Sequence, residues 1–307
     1  NAESHRLAAF FFLPDSQCLT PDQILDAPLR PPAKSLRRRC PRGDLRPGAV
    51  FFIIRKNAQE VQLVEHWESL CPGGYRFVYD DALFPPGTDT FLLSSLPRLR
   101  PGLRVCDLGA GTGLLGLLLL QRQPQLRVTG VELQESAVRL AERAAAENRL
   151  TDRLFSLHGD LRQIRSLLGT GSFDLVVSNP PYYAPGSGAL AAEGPRQSAR
   201  AEVCCTLEEI CQAAAYLLRW GGSFCVVHKP ERLTDLLCTL RESHLEPKRL
   251  RFVCKTSEAA PSLVLCESRR GGKPGLSIEP PLLLRTATGT PTPEVDAIYF
   301  RQQEELP

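Results

Sequence analysis

The apolar positions of this chain fall into short blocks separated by glycine, proline and charge, and from Arg104 onward those blocks alternate between two periods. Arg104-Val-Cys-Asp-Leu108 is a short apolar run that reads as a buried strand. Glycines follow it, and then the helical run Leu114-Leu-Gly-Leu-Leu-Leu-Leu120. Arg127-Val-Thr-Gly-Val-Glu132 predicts the next strand, and Glu135 to Asn148 carries apolar residues at helical spacing. Leu154 to His158 and Phe173 to Ser178 predict two further strands. A helix is expected from Thr206, where Thr206-Leu-Glu-Glu209 has the form of a capping box, to Gly221-Gly222. Ser223 to His228 is a fifth strand, and Pro230 opens a helix at a position that tolerates proline. Lys248 to Cys254 and Ser262 to Glu267 complete the strands. Strand and helix alternating in this way predict an α/β fold, a parallel sheet with helices on both faces.

The first 60 residues lack any such rhythm. They are rich in proline and arginine, as in Ala27-Pro-Leu-Arg-Pro-Pro32 and Leu36-Arg-Arg-Arg39. Their composition suits a loosely ordered extension, with an RNA-contacting basic arm as the sharper alternative. The expected organisation is this extension over 1–60, a covering segment over 61–100, the α/β domain over 101–285 and a tail over 286–307.

The first strand ends on Asp107-Leu-Gly-Ala-Gly-Thr-Gly113, at the place where a doubly wound sheet takes its ligand. Glycines Gly109, Gly111 and Gly113 let the backbone turn tightly and a ligand approach it. Their spacing is one residue tighter than the dinucleotide fingerprint, and no lysine follows, which excludes a phosphate-binding P-loop. Glu132 ends the next strand, where a carboxylate can accept hydrogen bonds from ribose hydroxyls. Asp160, after the third strand, can reach the edge of an adenine. A nucleotide cofactor follows, and the tighter glycine spacing together with the fourth strand favours S-adenosyl-L-methionine over NAD.

Asn179-Pro-Pro-Tyr182, with Tyr183 next, follows the fourth strand. Pro180 and Pro181 fix the backbone and remove two donors, leaving carbonyls and the Asn179 side chain as acceptors. An exocyclic amine is a poor nucleophile because its lone pair is delocalised into the ring. Accepting its N–H protons at Asn179 and at the Pro180 carbonyl would localise that pair, which is catalysis by fixed dipoles rather than by a strong base. Tyr182 offers a flat face on which a planar group can stack.

These motifs resemble those of the class I amino-methyltransferases, whose fold is a Rossmann-like, seven-stranded sheet. From about Tyr75 to Pro281 the chain is similar to the bacterial tRNA1(Val) (adenine-37-N6)-methyltransferase family. The shared features are Gly87-Thr-Asp-Thr-Phe-Leu-Leu93, the tetrapeptide with Tyr183, Arg196 and Arg200 beyond it, and Arg269-Arg-Gly-Gly-Lys-Pro-Gly275. The resemblance implies methyl transfer from S-adenosyl-L-methionine to the exocyclic amine of an adenine in RNA, most naturally tRNA. It also implies that Thr88 and Asp89 close over the methionine end of the cofactor while Asp107 supports its amino-acid moiety. The same residues of Thr88 and Asp89 are good chemistry for a helix start. The tetrapeptide is shared with protein glutamine N5-methyltransferases and DNA adenine methyltransferases, so both remain alternatives, as does a binding module without activity.

Charge adds little by itself. The formal net charge is +3, which permits nucleic-acid binding without demanding it. Tyr183, Arg196, Arg200, Lys229, Arg232 and Lys273 are the expected RNA contacts, with Arg269 and Arg270 nearby; Lys229 and Arg232 directly follow the fifth strand. The eleven cysteines contain no C-x-x-C pair, so no metal site is expected. Cys106, Cys225, Cys254 and Cys266 lie in predicted strands as small apolar residues, which fits a reducing, cytoplasmic compartment. Leu7–Leu13 and Val50–Ile54 fall far short of the roughly 20 apolar residues that span a membrane.

Overall fold

A computed structural model describes residues 65–80, 86–182 and 205–301. Tyr183, Arg196 and Arg200 lie outside the described residues, as does the extension over 1–60.

Two strands, β1 (Glu65–Ser69) and β2 (Arg76–Asp80), form an antiparallel hairpin of their own. The predicted sheet follows as β3 (Arg104–Leu108), β4 (Arg127–Glu132), β5 (Leu154–His158), β6 (Phe173–Ser178), β7 (Leu218–His228), β8 (Leu245–Cys254) and β9 (Pro261–Arg270). Two short strands, β10 (Ser277–Ile278) and β11 (Leu282–Leu283), add to β8 and bring the sheet to nine. The order runs β10-β8-β9-β7-β6-β3-β4-β5. The seven-stranded Rossmann-like sheet expected from the sequence is therefore present, extended by two-residue strands at one edge.

The connecting helices are α1 (Thr88–Ser94), α2 (Leu114–Arg122), α3 (Glu135–Glu147), α4 (Ile164–Leu167), α5 (Leu207–Leu217), α6 (Leu233–Glu242) and α7 (Pro293–Ile298). α2 buries every residue from Leu114 to Leu120. α3 instead buries one stripe, Ala137, Val138, Leu140, Ala141, Ala144 and Ala145, and leaves its charged face to solvent. The capping box at α5 forms in full: Thr206 Oγ1 accepts from Glu209 N, and Glu209 Oε2 accepts from Thr206 N.

Two expectations are corrected here. α5 stops at Leu217, and Gly221-Gly222 sits inside β7 instead of ending the helix. Gly221 has φ +77°, and the β6–β7 register shifts between Phe173 and Leu175, so the glycines absorb a bulge. The sheet is also not parallel throughout, because β9 runs antiparallel to both β7 and β8. Only the short loop 255–260 joins β8 to β9, too little for a parallel crossover.

The C-terminal segment packs on the catalytic unit. Tyr299 stacks on Phe91 of α1 at 4.7 Å between ring centroids, and Arg122 donates to the Ile298 carbonyl at 2.8 Å.

Candidate active site

β3, β4, β5, β6 and β7 lie side by side and parallel, so their C-terminal ends share one edge of the sheet. The order reverses at β3, which has β4 on one side and β6 on the other. A crevice opens at such a switch point. Asp107, Glu132, Asp160, Asn179 and Lys229 all sit at this edge, brought there by the topology alone.

The glycine loop takes the left-handed backbone that only glycine adopts without strain: φ is +75° at Gly109, +54° at Gly111 and +80° at Gly113. Gly113 also serves packing, since a Cβ there would lie 3.1 Å from Ala141 of α3. The other two face open space, with nothing within 4 Å of an added Cβ. Gly130 on β4, which the sequence reading passed over, makes room for the loop: a Cβ there would meet Ala110 at 2.7 Å.

Glu132 clasps the loop from below. Its carboxylate accepts from Gly111 N at 2.8 Å and from Gln134 N at 2.9 Å. Each oxygen keeps a lone pair for a further donor. Asp107 is buried, and its Oδ2 has no hydrogen-bond partner among the described residues. Burial, and then the charge of Glu132, push its carboxyl up to about 8. An orphaned buried acceptor beside open glycine backbone fits a ligand that brings a cationic donor, as an amino-acid moiety does. Asp160 is committed more tightly: it caps a turn through Arg162 N at 2.9 Å and pairs with the Arg162 guanidinium at 2.6 Å. The hydrogen bonds of Arg162 hold its carboxyl below the usual range.

The tetrapeptide is organised by α1. Ser178 Oγ donates to the Leu108 carbonyl at 2.8 Å and ties the end of β6 to the start of the glycine loop. Asn179 Nδ2 then donates to Thr90 Oγ1 at 2.9 Å, which turns Oδ1 outward as the acceptor. The Tyr182 hydroxyl donates to Asp89, and its 3.3 Å approach to Asn179 Oδ1 is a longer contact. Burial and the Asp89 carboxylate hold the Tyr182 phenol well above its ordinary range, so it stays protonated. Thr88 begins α1, with Gly87 as its cap residue, and Thr88 bonds to the Tyr299 side chain.

Two neighbours of the tetrapeptide escaped the sequence reading. Thr90 is one. His228, at the end of β7, is the other: its ring meets Tyr182 edge-on at 5.7 Å, and its Nδ1 accepts from Lys229 N at 2.9 Å. Burial and then the Arg232 cation depress its imidazolium form. Lys229 places its ammonium 4.8 Å from the centroid of the Tyr182 ring. Arg232 is held by Asp235 at 2.5 Å.

The structure does not bring Lys273, Arg269 or Arg270 to this edge. β9 is antiparallel to β7 with Arg269 opposite Ser223 and Val264 opposite His228, so its C-terminal end points away from Asn179. The sequence placed these cations near the site only because the direction of β9 was unknown.

A nine-stranded mixed sheet with this switch-point crevice, glycine loop and Asn-Pro-Pro-Tyr turn defines a class I, Rossmann-like methyltransferase. The crystal structure of a predicted O-methyltransferase from Agrobacterium tumefaciens shares the fold, with a TM-score of 0.58 at 20% identity over 69% of this chain and 96% of that one. The chain belongs to the methyltransferase small domain family, which matches residues 78–237, and within it to the family of proteins named tRNA1(Val) (adenine(37)-N6)-methyltransferase. The relative of that name from Porphyromonas gingivalis ATCC 33277 is 33% identical over 217 residues, 68% of this chain and 84% of its own. The one from Tolumonas auensis is 31% identical over 243 residues, 75% of this chain and 98% of its own.

Proposed function

We propose that this enzyme transfers the methyl group of S-adenosyl-L-methionine to the exocyclic N6 amine of an adenine in RNA, with tRNA as the substrate. The observation that carries the reading is the fixed Asn179 amide, whose Nδ2 is committed to Thr90 and whose Oδ1 is thereby presented as an acceptor.

The cofactor supplies an electrophilic methyl on a sulfonium. Asp107 and the open backbone of Gly109 and Gly111 would bind it, with Thr88 and Asp89 at its methionine end, and Glu132 would take the ribose hydroxyls on its remaining lone pairs. Asp160 stands where the adenine edge would lie. Asn179 Oδ1 and the Pro180 carbonyl accept the two N–H bonds of the substrate amine and concentrate its lone pair toward the methyl. In the transfer, the same two acceptors would stabilise the positive charge that grows on that nitrogen until its proton leaves to water. Pro181 holds the turn rigid, while Tyr182, hydroxyl anchored by Asp89, offers its ring to the base. Lys229 and Arg232 stand at the same edge to meet backbone phosphates, and Tyr183, Arg196 and Arg200 are proposed to continue that contact.

The names of the relatives support tRNA over DNA or a protein amide as substrate. Incubation with bulk tRNA and labelled cofactor, followed by mass spectrometry of the nucleosides, tests the reading. N6-methyladenosine is the expected product. Methyl transfer to a glutamine-bearing peptide with none to any RNA would overturn it.

A further inference from the structure

The edge of the sheet opposite Asn179 carries a second concentration of chemistry that methyl transfer does not use. Arg104 begins β3, Arg127 begins β4, and Arg153 immediately precedes β5. Arg104 and Arg127 are direct cross-strand partners. Arg153 is set beside Arg127, since Val128 N donates to the Arg153 carbonyl at 2.7 Å and Val128 pairs with Leu154. The three arginines line an open cleft of about 510 Å³, together with Gly102, Gln125, Leu126 and Asp152.

The nearby carboxylates do not balance this charge. Asp152 approaches Arg153 at 3.5 Å. Asp174 is 3.9 Å from Arg104 but is claimed more closely by Arg219 at 2.6 Å. Arg127 has no acidic partner among the described residues. Like charges placed directly opposite one another across a strand pair destabilise the sheet. An anion with several oxygens, bridging neighbouring guanidinium groups, reverses the sign of that interaction.

We propose that this cleft is a phosphate-binding site, remote from the methyl-transfer site and filled either by a phosphodiester of bound RNA or by a free polyphosphate. The six residues of β4 from Arg127 to Glu132 put about 17 Å of strand between the two edges, so no single small ligand occupies both. The chemistry is shared by the two sources: planar guanidinium forks offering paired N–H donors to phosphate oxygens.

Titration calorimetry with inorganic pyrophosphate tests the site, on the full chain as wild type, Arg127→Gln, Arg127→Gln/Arg153→Gln and Arg127→Lys. Binding by the wild type is expected, weakened about tenfold or more by Arg127→Gln and partly retained by Arg127→Lys. A stem-loop RNA titrated against the same proteins by filter binding separates the sources. Weakened RNA binding in the double variant assigns the site to the RNA backbone; unchanged RNA binding with lost pyrophosphate binding assigns it to free polyphosphate. Absence of pyrophosphate binding to the wild type, with RNA affinity untouched in the double variant, overturns the proposal. S-adenosyl-L-methionine affinity, read at the far edge, reports whether each variant is folded.

Discussion

Asn179 is oriented by Thr90, a residue 89 positions upstream, through one 2.9 Å hydrogen bond from Nδ2 to Oγ1. The bond decides which end of the amide faces the crevice. Thr90→Val keeps the volume and removes the acceptor, so the amide loses its preferred orientation and the half-buried Nδ2 its partner. Turnover should fall by about tenfold, the worth of one such bond, with cofactor affinity unchanged and Thr90→Ser restoring the rate. Asn179→Ala sets the limit, with a loss of about 10²–10³ in kcat. If Thr90→Val slows the wild type but slows Asn179→Ala by the same factor, Thr90 does not act through Asn179.

Glu132 holds two backbone donors, Gly111 N and Gln134 N, and is proposed to hold the ribose as well. Glu132→Ala should weaken S-adenosyl-L-methionine binding by about 1.5–3 kcal/mol, as charge-assisted hydrogen bonds are lost. Calorimetry on a variant with an unchanged circular dichroism spectrum gives the number. Unaltered affinity would remove Glu132 from the ribose site and leave it as a clasp for the glycine loop.

Much of this arrangement was legible in the chain, and the divisions between what was and was not are physical. The strands β3, β4 and β6 and the Phe224–His228 end of β7 are largely buried apolar runs bounded by glycine or charge, and the Thr206–Glu209 box is a wholly local motif; both were read from neighbouring residues. Gly221-Gly222 misled because a helix end and a strand bulge make the same demand for positive φ, and only the pairing of β7 with β6 chooses between them. β1 was missed because Glu65-His-Trp-Glu-Ser69 has no apolar run; its place depends on β2 and on Arg143, whose guanidinium meets Glu65 at 2.5 Å. The partners of the tetrapeptide were invisible for a related reason. Thr90, Asp89 and His228 reach it from α1 and the end of β7, and no spacing rule links residues so far apart.

Asp107 makes the site sensitive to pH. Its carboxyl titrates at about 8 in the folded chain, against an ordinary 3.8. Between those values the folded chain holds a proton that the unfolded chain has released. The stability this contributes is complete below the unfolded value and is lost as pH rises toward and through 8. Asp107→Asn removes the titration, so its melting temperature should fall less than that of the wild type between pH 5 and 8, by on the order of 2–4 °C for each kcal/mol involved. A cationic ligand group favours the ionised carboxylate, so binding S-adenosyl-L-methionine should release a proton near pH 7. Calorimetry in two buffers of different ionisation enthalpy measures that proton directly. Identical heats in both buffers would show that Asp107 does not meet the amino-acid moiety.

Lys229 and Lys273 separate the two edges of the sheet experimentally. Lys229 follows β7 at the active edge, with its ammonium 4.8 Å from the Tyr182 ring centroid. Lys273 lies beyond the C-terminal end of β9, at the other edge, and its carbonyl accepts from Lys248 Nζ at 2.9 Å. A lysine that meets a phosphate releases a counterion when RNA binds, and its removal lowers the slope of log affinity against log salt by about 0.7–0.9. Lys229→Gln should show that decrease with a tRNA substrate, and Lys273→Gln should leave the slope where it was. A base presented in a loop can be unstacked without breaking a pair, so a stem-loop RNA should reproduce the Lys229 effect. Filter binding from about 50 to 200 mM salt resolves a difference of this size. A slope unchanged in Lys229→Gln and reduced in Lys273→Gln would move the RNA to the opposite edge of the sheet and separate the binding surface from Asn179.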